Sequence, residues 1–147
     1  RNSVITWRFQ VKIKPADTWF SKCVRERSDW VCECCGKQYE ENSQGLHCSH
    51  HFSRRHRSVR WCGDNASSHC FSCHQRLGGN PVEFARWIEN KLGNGLVQIL
   101  EDKKNTLVKI SKLEEKEIAD HYKNEYKKLK ERRRNGETGF IEFDSYQ

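Results

Sequence analysis

The chain has 147 residues, 35% of them hydrophobic and 32% charged, with 27 Lys and Arg against 20 Asp and Glu and a net charge of +7. That length suits one domain with an appended helix, and so small an apolar fraction calls for a second source of stability. No apolar run is long enough to span a membrane, and an excess of cations is what a polyanion binder carries.

Trp7, Phe9, Val11 and Ile13 alternate with Arg8, Gln10, Lys12 and Lys14. A period of two predicts a strand over 4–14 with one buried face, stopped by Pro15. Asp17 is placed to cap a helix running to about Ser28, with Phe20, Cys23, Val24 and Arg27 on one side. Residues 45–50 predict a short strand, and Asn65 to Leu77 a turn followed by a helix. Gly78-Gly79-Asn80 breaks the chain, and Pro81 opens a helix to about Leu92 that buries Val82, Ala85, Ile88 and Leu92. A short helix follows near Leu96–Glu101. Ser111 to Arg134 predicts one long charged helix with a narrow stripe of Ile118, Tyr122, Tyr126 and Leu129. Such a stripe covers a core edge or meets a partner helix, so a homodimer through it is one expectation. The Phe140–Phe143 patch predicts a small docking strand.

The chemistry lies in the middle. Cys32 and Cys35 form one Cys-x-x-Cys pair, Cys70 and Cys73 a second, with the 34 residues from Gly36 to His69 between them. A two-residue spacer lets both sulfurs of a pair reach one ion, so the four can close a tetrahedral Zn²⁺ site. Disulfides would fit a secreted chain better than this paired spacing. Cys34 leaves a Cys32/Cys34 pairing open; Cys34, Cys48 and Cys62 otherwise read as packing or free thiols. Cys70-Phe71-Ser72-Cys73-His74 also fits a haem-attachment pattern, but the chain has no Met to serve as an axial ligand, and Cys32 and Cys35 would then have no role.

His47, His50 and His51 crowd the end of one predicted strand, and His74 follows the second pair directly. Hydrolysing a phosphodiester needs a base near neutral pH and a cation for the developing charge, and histidine suits the first task. Arg54, Arg55, Arg57 and Arg60 follow with no acid between Cys48 and Gly63, as phosphate contacts would. A second basic cluster runs from Lys127 to Arg134, with Glu131 its only acid.

His50/His51, Asn65 and His74 resemble the three signature positions of HNH endonucleases, in the subclass braced by two Cys-x-x-Cys pairs. More closely, the chain resembles the phage NinG/Rap family of recombination endonucleases. The matching stretches are Val24-Arg25-Glu26-Arg27, Cys32-x-x-Cys35-Gly36, Ser49-His50-His51, Arg60-Trp61, Asn65, Cys70-x-x-Cys73-His74, Gly79-Asn80, Leu92-Gly93 and Tyr122-Lys123-Asn124-Glu125-Tyr126, spanning about 17–134.

The resemblance implies an α+β fold with a ββα-metal (HNH) core braced by a four-cysteine zinc site, flanked by helices including a long C-terminal one. The expected spans are an N-terminal strand and helix (1–30), the nuclease core (31–93), a helical extension (94–135) and a tail (136–147). The implied activity is metal-dependent cleavage of DNA, in branched recombination intermediates such as Holliday junctions or D-loops, in the cytoplasm of a bacterial host.

Two registers are open. Where an acidic ligand precedes the base, His51 is the base and His50 the ligand. The family pattern of a small residue, the key His and an aromatic makes His50 the base and is favoured. His74, with His47 as a candidate, would hold a catalytic Mg²⁺ or Mn²⁺, and Asn65 would brace the loop. Rival readings are a non-catalytic zinc-ribbon nucleic-acid-binding module, which the missing acidic ligand favours, and an RNA nuclease.

Overall fold

The computed structural model describes residues 11–147. The strand expected over 4–14 falls mainly outside the described residues, and residues 11–14 are not in a strand. They run beside the arginine segment instead, where the Lys12 carbonyl accepts from Arg60 Nη2 at 2.8 Å.

Helix α1 is Pro15–Arg27. Proline sits at its first position, where its fixed φ suits a helix and its missing N–H costs nothing. Asp17 is not the cap. It occupies the third helical position and accepts the Lys14 N–H at 2.8 Å. Asp29 and Trp30 then adopt left-handed backbone, φ 59° and 60°. This reversal returns the chain beneath the helix end, with the Trp30 N–H donating to the Arg25 carbonyl at 2.9 Å.

Strands β1 (Leu46–His50) and β2 (Ala66–Cys70) form an antiparallel hairpin in which His47 faces His69 and His50 faces Ala66. The second strand replaces part of the predicted turn and helix. All five of its residues are buried, and three of them are Ser67, Ser68 and His69. Periodicity does not detect a strand that is mostly polar yet wholly buried, with Ser68 satisfied by neighbours. Ser68 Oγ donates to the Val24 carbonyl at 3.0 Å, and Ser28 Oγ donates to Ser68 Oγ at 3.0 Å. Between the strands lie a single helical turn α2 (Arg57–Arg60) and a 3₁₀ turn (Gly63–Asn65).

Three helices follow: α3 (Phe71–Gly78), which starts as β2 ends, α4 (Pro81–Leu92) and α5 (Asn94–Lys104). Of the four residues expected to be buried on α4, only Ile88 is. Val82 is 67% exposed, Ala85 is exposed and Leu92 is half-buried. The helix is turned so that Phe84, Trp87 and Lys91, one helical turn apart, meet the hairpin, with Trp87 4.6 Å from His69.

The long helix α6 (Lys112–Arg134) is capped by Ser111 Oγ, which accepts the Glu114 N–H at 3.1 Å. Its stripe faces inward. Ile118, Tyr122 and Leu129 join Phe20, Val24, Trp61 and Ala66 in the main core, with Tyr126 packed at its edge. The seam offered for a homodimer is therefore covered by this chain's own α1. The tail docks without forming a strand. Ile141 and Phe143 are buried in the same core, the Ile141 N–H donates to the Arg27 carbonyl at 2.9 Å, and Glu142 pairs with buried Arg27 at 3.1 Å.

Asp17 ties α1 to α2. Its carboxylate takes Arg60 Nε at 2.9 Å and Nη2 at 2.5 Å, and Trp61 Nε1 at 3.0 Å. Burial alone would raise its pKa, but Arg60 and the Lys14 N–H hold it below 3.8. Asp17→Asn leaves a buried guanidinium unpaired and should cost about 3 kcal/mol or more in urea unfolding. A depressed carboxyl stabilises the fold above its unfolded value, so this contribution should be present above pH 3.8 and lost as pH falls through the lower folded value.

Candidate functional site

The sulfur atoms of Cys32, Cys35, Cys70 and Cys73 all lie within 4.8 Å of one another. Cys35 Sγ and Cys70 Sγ are 3.8 Å apart, about the edge of a tetrahedron of Zn–S bonds near 2.3 Å. The first pair sits on a knuckle closed by Gly36, whose φ of 80° lets its N–H reach the Cys32 carbonyl at 2.9 Å. The second pair joins the end of β2 to the first turn of α3. The Cys70 N–H points at Cys32 Sγ, 3.2 Å away, and the Cys73 N–H at Cys70 Sγ, 3.4 Å away. Burial would push the Cys70 thiol up, but the Cys73 N–H and the neighbouring sulfurs bring it down to about 7. Four sulfurs with amide donors fit a metal ion, and zinc is the ion that such a set favours. Cys34 stays outside the cluster, with Arg76 Nη2 at 3.2 Å from its sulfur.

A cleft of about 520 Å³ opens between α1 and the hairpin, lined by Asp17, Arg25, Cys48, His50, Arg54 and His74 among others. Successive strand residues point to opposite faces. Cys48 and His50 therefore face α1, where His50 lies 5.8 Å from the Phe20 ring. His50 Nε2 is 3.0 Å from the Arg60 carbonyl, so Nε2 carries the proton and Nδ1 the lone pair. Burial lowers its pKa to about 4.

His51 goes the other way. Its Nε2 is 2.8 Å from Ser67 Oγ, and Phe84 and Trp87 cover its ring. The structure thus brings His50 and His74 to one cleft and leaves His51 behind the hairpin. Burial also lowers His51 well below the usual histidine value. His69, which the sequence did not single out, shares that space; neither of its ring nitrogens nor His51 Nδ1 has a hydrogen-bond partner among the described residues.

His47 Nδ1 and His74 Nδ1 are 3.0 Å apart. His47 Nε2 lies 3.1 Å from the Gln44 carbonyl, which makes Nε2 the donor and leaves Nδ1 as the lone-pair nitrogen. Asn65 is buried and braces the 52–59 segment. Its Oδ1 accepts the Phe52 N–H at 2.9 Å, and its amide donates to the Phe52 and Val59 carbonyls at 2.9 and 3.1 Å.

The family model for the bacteriophage lambda NinG protein matches residues 8–132. The chain belongs to the NinG family. No curated protein and no solved structure matches it. The NinG match covers both cysteine pairs and every cleft residue, and ends before the docked tail.

Within this NinG-family chain the predicted phosphate contacts divide. Arg60 is buried at 2% exposure on Asp17, and Arg57 pairs with Glu115, so both serve the fold. Arg54 lines the cleft, 3.8 Å from Asp17, and Arg55 is exposed. The C-terminal basic run is also largely paired. Lys128 meets Glu125, Lys130 meets Glu26 and Glu41, Arg132 meets Glu137, Arg133 meets Glu26, and Arg134 meets Glu131. Arg25 enters the cleft unannounced by charge clustering; the signal for it was its place in the familial Val24–Arg27 stretch. No helix among the described residues is long and apolar enough to cross a membrane.

Elemental analysis of the purified protein should find about one zinc per chain. Cys32→Ser and Cys73→Ser should each lose that ion and lower the thermal midpoint, because ligands assembled by folding make metal binding part of the folding free energy. A fully folded, metal-free wild type would overturn the assignment.

Proposed function

We propose that this chain is a metal-dependent DNA endonuclease of the HNH type, acting on branched recombination intermediates such as Holliday junctions or D-loops in the cytoplasm of a phage-infected cell. The observation that carries the reading is the meeting of His50 and His74, 24 positions apart in sequence, in one cleft that Arg54 also lines. The strand–strand–helix order of β1, β2 and α3 is the order of a ββα-metal unit, and the four-cysteine cluster ties its β2–α3 junction to the knuckle that precedes β1.

In this reading His50 is the general base. Donation of its Nε2–H to the Arg60 carbonyl orients the ring and leaves Nδ1 to take a proton from water. Burial keeps His50 neutral above about pH 4, which leaves it able to accept a proton but makes it a weaker base than an exposed histidine. His74, with His47 beside it, would hold the divalent ion, Mg²⁺ or Mn²⁺. When bound, that ion stabilises charge developing on phosphate oxygens. The Gln44 carbonyl fixes His47 in the tautomer that a metal ligand needs, the usual arrangement around ligating histidines. Asn65 serves by holding the loop that follows His50 rather than by touching the phosphate.

One observation favours a non-catalytic zinc-braced nucleic-acid-binding module. The only acid lining the cleft among the described residues is Asp17, and it is engaged by Arg60 and Trp61. Incubating labelled four-way junction, flap and linear duplex with the protein, with and without Mg²⁺ or Mn²⁺, separates the two readings. An endonuclease nicks the branched substrates only with the ion; a binding module shifts them and leaves them intact.

His50→Ala should abolish nicking while DNA affinity stays nearly unchanged, since phosphate contacts come from other residues. His51→Ala should keep nicking activity and lose stability, because its ring packs under α4. An inactive, folded His51→Ala beside an active His50→Ala would put the base one residue further on.

A further inference from the structure

The cationic side chains around the cleft differ in what they have left to offer. Arg60 is spent on Asp17, Arg57 on Glu115 and Arg27 on Glu142. Arg54 shares Asp17 and reaches the Val11 carbonyl at 3.5 Å. Arg25 lines the same cleft and has no carboxylate partner among the described residues. Its Nε donates to the Ser21 carbonyl at 3.2 Å, and its guanidinium lies 4.8 Å from the centre of the Trp30 ring. Those contacts use one N–H and one face of the fork, leaving the two terminal nitrogens without an acceptor among the described residues.

That arrangement is built rather than incidental. Trp30 holds a left-handed backbone, which is rare for a bulky residue and persists only when its surroundings impose it. It is buried at 3% exposure against Cys32, Leu46, Cys70 and Cys73, and its Nε1 donates to Glu26 at 3.1 Å. Its own N–H donates to the Arg25 carbonyl. The cysteine cluster thus fixes Trp30, and Trp30 holds Arg25 from beneath and from its backbone. A guanidinium stacked on an aromatic ring loses little freedom when it binds two oxygens.

We propose that Arg25 is a phosphate-binding residue of this cleft, taking two oxygens of a DNA phosphodiester on the wall opposite the hairpin. This rests on the endonuclease reading and adds to it the group that anchors the substrate backbone. It also gives the cysteine cluster a second duty, aligning that anchor through Trp30. Among the described residues lining the cleft, Asp17 is the one acid against the guanidinium charges of Arg25 and Arg54, and buried Arg60 already pairs with it, so the cleft carries a net positive charge to match the ligand.

The test is fluorescence anisotropy of a labelled four-way junction across a salt series, with zinc-loaded protein and no added Mg²⁺ or Mn²⁺. Arg25→Gln should weaken binding about tenfold and reduce the slope of log affinity against log salt by about one. Arg25→Lys, which keeps the charge without the fork, should keep the slope and weaken binding less. Arg25→Gln with wild-type zinc content, affinity and slope would overturn the assignment while leaving the endonuclease reading intact. A wild type that binds no junction would overturn both. Should Arg25→Gln lose its zinc, Arg25→Lys decides: weaker binding at an unchanged slope supports the guanidinium contact, and wild-type affinity overturns it.

Discussion

Four sulfur atoms within 4.8 Å of one another are an unstable arrangement without a cation. As thiolates they repel; as thiols they contribute only weak hydrogen bonds. A dication resolves the conflict and joins the knuckle to the β2–α3 junction. What depends on it is more than local order. The knuckle side carries Trp30, and through Trp30 the orientation of Arg25. The helix side carries Cys73 and, next to it, His74. Arg25 on the α1 side of the cleft and His74 beside the hairpin thus both border the cysteine cluster.

Elsewhere in the fold, internal ion pairs tie distant segments together. Asp17 with Arg60, Glu142 with Arg27, and Glu26 with Arg133 each join segments distant in sequence, and each has a member that is almost fully buried. Such pairs contribute little net stability relative to apolar packing, but breaking one leaves an uncompensated buried charge. They also explain why a chain rich in Lys and Arg does not offer all of that charge to a polyanion. Acids pair with most of the two basic runs, some from distant segments, as Asp17, Glu115, Glu26 and Glu41 do, and some from three to five positions away, as Glu125, Glu131 and Glu137 do.

Strand geometry sends the two adjacent histidines to opposite sides of the hairpin. A period of two sends His50 toward α1 and the cleft, and His51 toward α4 and Ser67. A slip of one residue would reverse both, and the register is pinned because β2 is buried along its whole length.

Local chemistry determined much of this protein. The two Cys-x-x-Cys spacings identified the four clustered cysteines, proline and glycine bounded α4, and a Ser-capped charged run marked α6, because each depends on residues within one or two turns of one another. The same locality hid β2, whose serines and histidine show no apolar alternation and are buried through pairing with β1, bonds to α1 and cover by α4. It hid the inward turn of the α6 stripe, since a narrow apolar face is the same sequence whether α1 or a second chain covers it. Tertiary structure alone decided which arginines are spent and which is left, because a guanidinium's partner is a carboxylate brought from another element, as Glu115 is to Arg57 and as none is to Arg25 among the described residues.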